Sequence, residues 1–316
     1  MLRPQFTLAQ NLVIDANTCI KIFQDKIQPK KLLMIKPHYY NIIDLLISDG
    51  IFCLLCYFSI SRNMEYYIDS HVHCGRLSGP SFQDYLTQIE QTHIKTAVVF
   101  SSVAEIYDRN DPNFKDNTDW QLRRTKANEH ILSLNTSEEF KVYSFFFVWN
   151  DFSIEQLKPF VGIKWHRHHD EPKYDYKSPR CREFIAEIQR RNLPVVLGEE
   201  FENTLLFISE LAPQAIVIIP HCGLLNGGYD ELCKSGIWKK ANVHADTALA
   251  GPEIIADFIG RYGHEKILFG SDFPFGDPVF ELTNILDLRL SGEVKESILC
   301  SNIVRLTSQV ERRDCL

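Results

Sequence analysis

The chain has 316 residues, 45% hydrophobic and 24% charged, which is ordinary globular composition with ample length for a buried core. Its net charge of −7 comes with no basic block, so nucleic acid is a poor partner, because phosphate binding needs clustered lysine and arginine. Nine cysteines, scattered and odd in number, do not read as a disulfide framework, and a reducing cytoplasmic setting is the simpler inference.

Residues 1–63 differ from the rest. They carry seven Lys/Arg and four Asp/Glu and contain no motif that connects to chemistry. The stretch 42–60 is apolar but is broken by Asp44, Asp49 and Gly50. Its uninterrupted part, 51–58, is shorter than the ~20 residues that span a bilayer. Membrane contact, if any, would run through 42–60. Cys53 and Cys56 form a lone Cys-x-x-Cys inside this run and read as small packed side chains. The expectation is an N-terminal extension over 1–63, not part of the native product, followed by a domain over 64–316. That domain has 253 residues, close to the ~250 of an eight-fold β/α barrel.

From Met64 onward, strand-like and helix-like segments alternate. Residues 66–73 predict a first strand and 81–93 a helix with apolar spacing at Phe82, Tyr85, Leu86 and Ile89. Strand two falls at 96–101 and a charged helix at 119–134. Strand three covers 142–149, strand four 161–166, and a helix follows at 179–191. Strand five is read over 195–200, with a helix over 203–211 opened by Asn203 as its cap. Strand six spans 215–221 and strand seven 242–246. A helix over 252–262 has Pro252 just inside its start. Strand eight spans 267–272, and helices lie near 279–290 and 293–306. Gly227-Gly228 reads as a turn before a helix at Tyr229. Near-continuous apolar strands, each followed by a helix or long connection, predict a parallel (β/α)8 TIM barrel.

Polar residues gather at the C-terminal ends of these strands. His71 and His73 end strand one, and Asp69 shares their parity. Lys164 and His166 end strand four on one face. Glu199 and Glu200 end strand five, His221 strand six, Asp246 strand seven and Asp272 strand eight. A barrel collects such ends on its active-site face. Paired imidazoles on one strand form half of a divalent-metal site, and Asp272 is a ligand, a base or both. His244 shares the parity of Asp246 but is equally a packed residue. His168 and His169 read as a polar loop above the mouth. Cys74 and Cys222 lack a dedicated base and read as small buried thiols.

At Asp69-Ser-His71-Val-His73, Gly162-Ile-Lys-Trp-His166, Pro220-His221-Cys-Gly223, Asp246-Thr, Phe269-Gly-Ser-Asp272-Phe-Pro-Phe-Gly276, and Asn302 with Arg305-Leu306, the sequence resembles the amidohydrolase superfamily, in its amidohydrolase-related branch. The branch includes metal-dependent hydrolases and aminocarboxymuconate-semialdehyde-type decarboxylases. The resemblance implies a divalent metal, zinc ahead of manganese, on His71 and His73. It implies Asp272 as a further ligand that takes the proton from metal-bound water, and His221 as the group that polarises the scissile bond or shuttles protons. One departure stands out. The family places a metal-binding histidine at the end of strand five, where this chain has Gly198. Glu200 shares the parity of Gly198 and could fill the gap as a carboxylate ligand, as could Glu199; both could equally be solvated loop residues. Lys164 could be a carbamylated bridge between two metals, but pairing with a rim carboxylate or an anionic substrate is preferred. The expectation is a metal-dependent hydrolase of a small molecule with an amide, lactone or ester bond. The rivals are a non-oxidative decarboxylase on the same scaffold and a non-catalytic barrel that has lost its metal. Association into homo-oligomers is the default for such enzymes.

Overall fold

The computed structural model describes residues 66–134 and 139–311. The extension over 1–63, with its apolar stretch and Cys53 and Cys56, lies outside the described residues. Among the described residues, no helix is long and apolar enough to cross a membrane.

Eight strands form one sheet in sequential order, and every neighbouring pair is parallel. They are β1 (Tyr67–Cys74), β2 (Ile94–Ser101), β3 (Lys141–Phe147), β4 (Gly162–His166), β5 (Val195–Gly198), β6 (Val217–Ile219), β7 (Val243–Asp246) and β8 (Ile267–Leu268). Helices lie between them, so the chain is a (β/α)8 TIM barrel, as the pattern of apolar runs predicts. β8 is only two residues long. The barrel is drawn together there by bonds from beyond its end: Ser70 N donates to Phe269 O, Asp272 N to His71 O and His73 N to Phe273 O, each at 2.8 Å. These three bonds set the first and last strands' C-terminal ends side by side.

Two apolar clusters correspond to the two faces of the sheet. Ile68, Val98, Phe100, Phe145, Val196, Ile218 and Leu268 fill the inside, joined by Ile303 and Leu306. The larger cluster packs the outer strand faces, including Val72, Val99, Phe146, Ile163 and Leu197, against the helices. Both faces are dry, which is why the strands read as apolar runs rather than alternating ones.

Helix ends follow local chemistry. Ser81 and Asp84 close a capping box at the start of α1 (Phe82–Gln88). Asn117 caps α2 (Thr118–Ser133) through Trp120 N. Asp277 accepts from Val279 N and Phe280 N ahead of a helix that has Pro278 at its first position. Asn203 is a correction. The helix after β5 runs Phe201–Leu206 with Glu200 at its cap position, and the Asn203 side chain donates instead to Glu199 Oε2 at 3.1 Å. Asn302 and Arg305 also do structural work. Asn302 Nδ2 donates to the carbonyls of Ile267 and His264, and Arg305 to that of Glu265, which pins the last helix (Asn302–Glu311) beneath β8.

Candidate active site

The strand ends converge as the barrel requires. His71 and His73 project from β1, His221 from the turn after β6, and Asp272 from the turn after β8. Three imidazoles aim Nε2 at one carboxylate. His71 Nε2 lies 3.2 Å and His73 Nε2 3.5 Å from Asp272 Oδ1, and His221 Nε2 lies 3.9 Å from Oδ2. All four residues are buried.

Each ring is fixed through its other nitrogen. His71 Nδ1 donates to Asp246 Oδ2 at 2.7 Å, His73 Nδ1 to Ser101 O at 3.2 Å, and His221 Nδ1 to Ala248 O at 3.0 Å. An acceptor at Nδ1 puts the proton there and turns the Nε2 lone pair toward the centre, where that of His71 meets Lys164 Nζ. Asp246 also accepts from the backbone N–H groups of His221, at 2.8 Å, and Ala248, at 3.2 Å. It therefore ties the β1 ligand to the β6 turn. His221, Cys222 and Asp272 all have left-handed backbone, with φ of 58°, 49° and 57°. Such geometry costs a non-glycine residue about 1–3 kcal/mol and concentrates at functional sites.

Burial, with the charge of Lys164 next, holds the His71 ring well below the usual imidazole pKa and brings His73 down to about 4. Burial alone would raise Asp272. The positive charge that His71, His73 and His221 carry when protonated, with the hydrogen bond that His73 then donates, outweighs it and keeps the carboxyl well below its ordinary value. Neutral imidazoles around an ionised carboxylate are the donor set that a divalent cation needs. Ligand atoms of His71, His221 and Asp272 lie within 4.8 Å of one another. A cation already fits beside them: Lys164 Nζ sits 2.8 Å from His71 Nε2 and 4.3 Å above the Phe100 ring. Burial lowers the Lys164 pKa to about 8. The residues present thus suit a divalent metal.

Two expectations about placement are corrected. Asp69 does not share the centre with His71. The β1–β2 register shifts between Asp69 and Val72, and this irregularity reverses the strand's alternation. Asp69 instead accepts from Ser271 Oγ at 2.6 Å, Ser271 N at 2.9 Å, Tyr85 Oη at 3.0 Å and His71 N at 3.1 Å. It stitches β1 to the turn after β8. Burial still raises its pKa to about 6 against those donors. Glu200 likewise stands apart from the imidazoles. Strand geometry stops at Gly198, so the parity argument does not reach Glu200, which pairs with Arg167 Nη1 at 2.6 Å. Glu199 takes the same guanidinium at 3.1 Å and accepts from Tyr176 Oη at 2.7 Å.

Arg167, Ser271, Tyr85 and the carbonyls of Ser101 and Ala248 were not read as site residues from sequence. Arg167 and Ser271 adjoin motif residues, which was the available signal; Tyr85 and the two carbonyls had none. Lys164 and His166 both point inward from β4. His244 is buried on β7, its pKa taken down to about 3 by burial.

The family model for amidohydrolases matches residues 155–306. Over that stretch the chain is similar to the amidohydrolases. No curated protein matches its sequence. Among solved structures, it is similar to 2,6-dihydroxybenzoate decarboxylase complexed with 2,6-dihydroxybenzoate (TM-score 0.61, 14% identity, 77% of this chain and 99% of that one). It is also similar to a dihydroxybenzoic acid decarboxylase from Polaromonas sp. JS666 with bound manganese and 2-nitroresorcinol (TM-score 0.61, 13% identity, 77% and 97%). A third is a Pseudomonas putida protein assigned as a 2-pyrone-4,6-dicarboxylic acid hydrolase (TM-score 0.56, 17% identity, 78% and 98%).

Proposed function

We propose that the chain is a metal-dependent hydrolase of a small molecule, cleaving an amide, lactone or other ester bond. The observation that carries this reading is the convergence of three anchored imidazoles on the Asp272 carboxylate. His71, His73 and Asp272 would hold the ion, zinc by preference, with manganese as the alternative that one structural neighbour contains. A divalent cation bound there supplies Lewis acidity and lowers the pKa of water toward ~7.

The chain's own groups do the rest. Asp272 accepts the proton that the attacking water loses. His221, on a strained turn and held through Nδ1 by Ala248, presents Nε2 to the scissile group, takes the proton on from Asp272 and returns it to the leaving atom. Lys164 offsets negative charge that develops at the reacting carbon. Leu224, Leu249 and Phe275 stand exposed after β6, β7 and β8, and the Phe275 ring lies 5.8 Å from that of His73. This apolar rim suits a substrate with an apolar or aromatic body. Cys74, Cys181, Cys222, Cys233 and Cys300 are free thiols, which supports a reducing, cytoplasmic setting.

A second reading, non-oxidative decarboxylation, is favoured by one observation. Lys164 is fully buried and, among the described residues, has no carboxylate within ion-pair distance. An aromatic carboxylate would supply the counter-charge, and two of the neighbours above act on such acids. Turnover of aryl esters, lactones and hydroxybenzoates in H2(18)O separates the two. Heavy oxygen in a product acid supports hydrolysis. Release of carbon dioxide without it supports the second reading and overturns the first.

A further inference from the structure

β4 and β5 run side by side with His166 opposite Gly198. Neighbouring positions in a parallel pair face the same side, so a side chain at 198 would enter the barrel beside the His166 ring. It would not fit. A Cβ at 198 would lie 2.3 Å from His166 Nδ1, closer than real Cβ atoms come, and a tight 3.2 Å from Cγ. The φ of Gly198 is outside the left-handed region, so its backbone conformation does not demand glycine. Space does: a glycine inside a strand marks close approach by another group. Here that group is an imidazole.

One ring nitrogen lacks a partner among the described residues. His166 is buried, and its Nδ1 is shielded from solvent without a hydrogen bond. This contrasts with the Nδ1 atoms of His71, His73 and His221, each of which has an acceptor. The backbone of His166 is held on both sides, N donating to Tyr174 Oη at 3.2 Å and O accepting from Tyr107 Oη at 3.1 Å. The ring is 6.3 Å, centroid to centroid, from that of His73. Two imidazoles on one tetrahedral zinc, at Zn–N of about 2.1 Å, have centroids about 5.3 Å apart, so ligation would draw the His166 ring about 1 Å toward His73.

We infer that His166, reaching across β4 into the volume that Gly198 leaves open, is a ligand of the metal centre. The neighbouring strand's missing side chain is thus replaced by an imidazole from the strand before it. This rests on the metal-centre reading above and deepens it.

The test is zinc titration of the purified full chain by calorimetry, with thermal unfolding in zinc-free buffer to establish that each variant folds. His166→Ala should weaken zinc binding at least about tenfold. Gly198→Ala, which adds only a methyl, should also weaken it by pushing the ring aside. The two changes should be non-additive, because the second acts through the first. The double variant His166→Ala/Gly198→His should recover affinity, since each removes the other's obstruction. Wild-type affinity in a folded His166→Ala protein would overturn the inference and leave the metal centre standing. Failure of the wild-type chain itself to bind zinc or manganese would overturn both.

Discussion

Asp246 Oδ2 lies 2.7 Å from His71 Nδ1, while its other oxygen accepts the backbone N–H of His221. One carboxylate therefore sets the tautomer of a β1 ligand and the position of the β6 turn. Burial raises its pKa, and the donors around it oppose that rise.

Asp246→Asn keeps an acceptor for His221 N but places an NH2 against His71 Nδ1. The imidazole must then accept at Nδ1 and carry its proton on Nε2, where the metal would bind. Zinc affinity should fall about 10–100-fold. Equilibrium titration beside a melting curve would show this, and unchanged affinity would remove the orienting role.

Glu200→Ala should leave zinc affinity within about twofold of wild type, because Glu200 pairs with Arg167 and not with the imidazoles. Arg167→Ala should be far more damaging to the fold. It removes the counter-charge of the buried Glu199 carboxylate and should cost about 3–5 kcal/mol in urea unfolding. A tenfold zinc loss in Glu200→Ala would restore Glu200 as a ligand.

Ser271→Ala removes the 2.6 Å bond to Asp69 across the β1–β8 seam. A hydrogen bond to a carboxylate contributes about 1.5–3 kcal/mol. Chemical denaturation should show a loss of that order, and a change near zero would mean that Ser271 N and Tyr85 suffice to hold Asp69.

Acid should destabilise the metal-free protein. His73 is lowered to about 4 and His244 to about 3, and His71 and His166 are lowered as well. Between those values and ~6.5 the unfolded chain binds more of these protons than the folded chain, so stability falls as pH drops. Asp69, raised to about 6, and Glu281, raised to about 7, act in the opposite sense over part of that range. Asp246 is raised too, so the four histidines, joined by His130 and His168, outnumber three carboxyls. Each uncompensated proton contributes about 1.4 kcal/mol per pH unit. Unfolding free energy measured from pH 7 to 4.5 should fall, and less steeply in His244→Asn. A flat or rising profile would contradict the buried neutral rings.

The barrel was legible because its strands are dry on both faces and its polar residues sit at strand ends. That pattern needs only local sequence. The long-range geometry was less open to reading. Asp69 carries the same parity as His71 on paper, and only a β1 irregularity separates them in space. Glu200 read as an inward strand residue because nothing in Leu-Gly-Glu-Glu marks Gly198 as the strand's last position. The meaning of Gly198 lies on another strand: an empty position becomes informative only when His166 is seen filling it. Ser271 and Asp69 are 202 residues apart, beyond the reach of any spacing rule.

The central claim is the metal centre of His71, His73 and Asp272, with His221 beside it. Elemental analysis of the purified protein after zinc loading and desalting, beside the His71→Ala/His73→Ala variant, tests it most directly. The expected result is near-stoichiometric zinc in the wild-type chain and none in a variant that still folds. Equal metal in both, or none in either after loading, would contradict it.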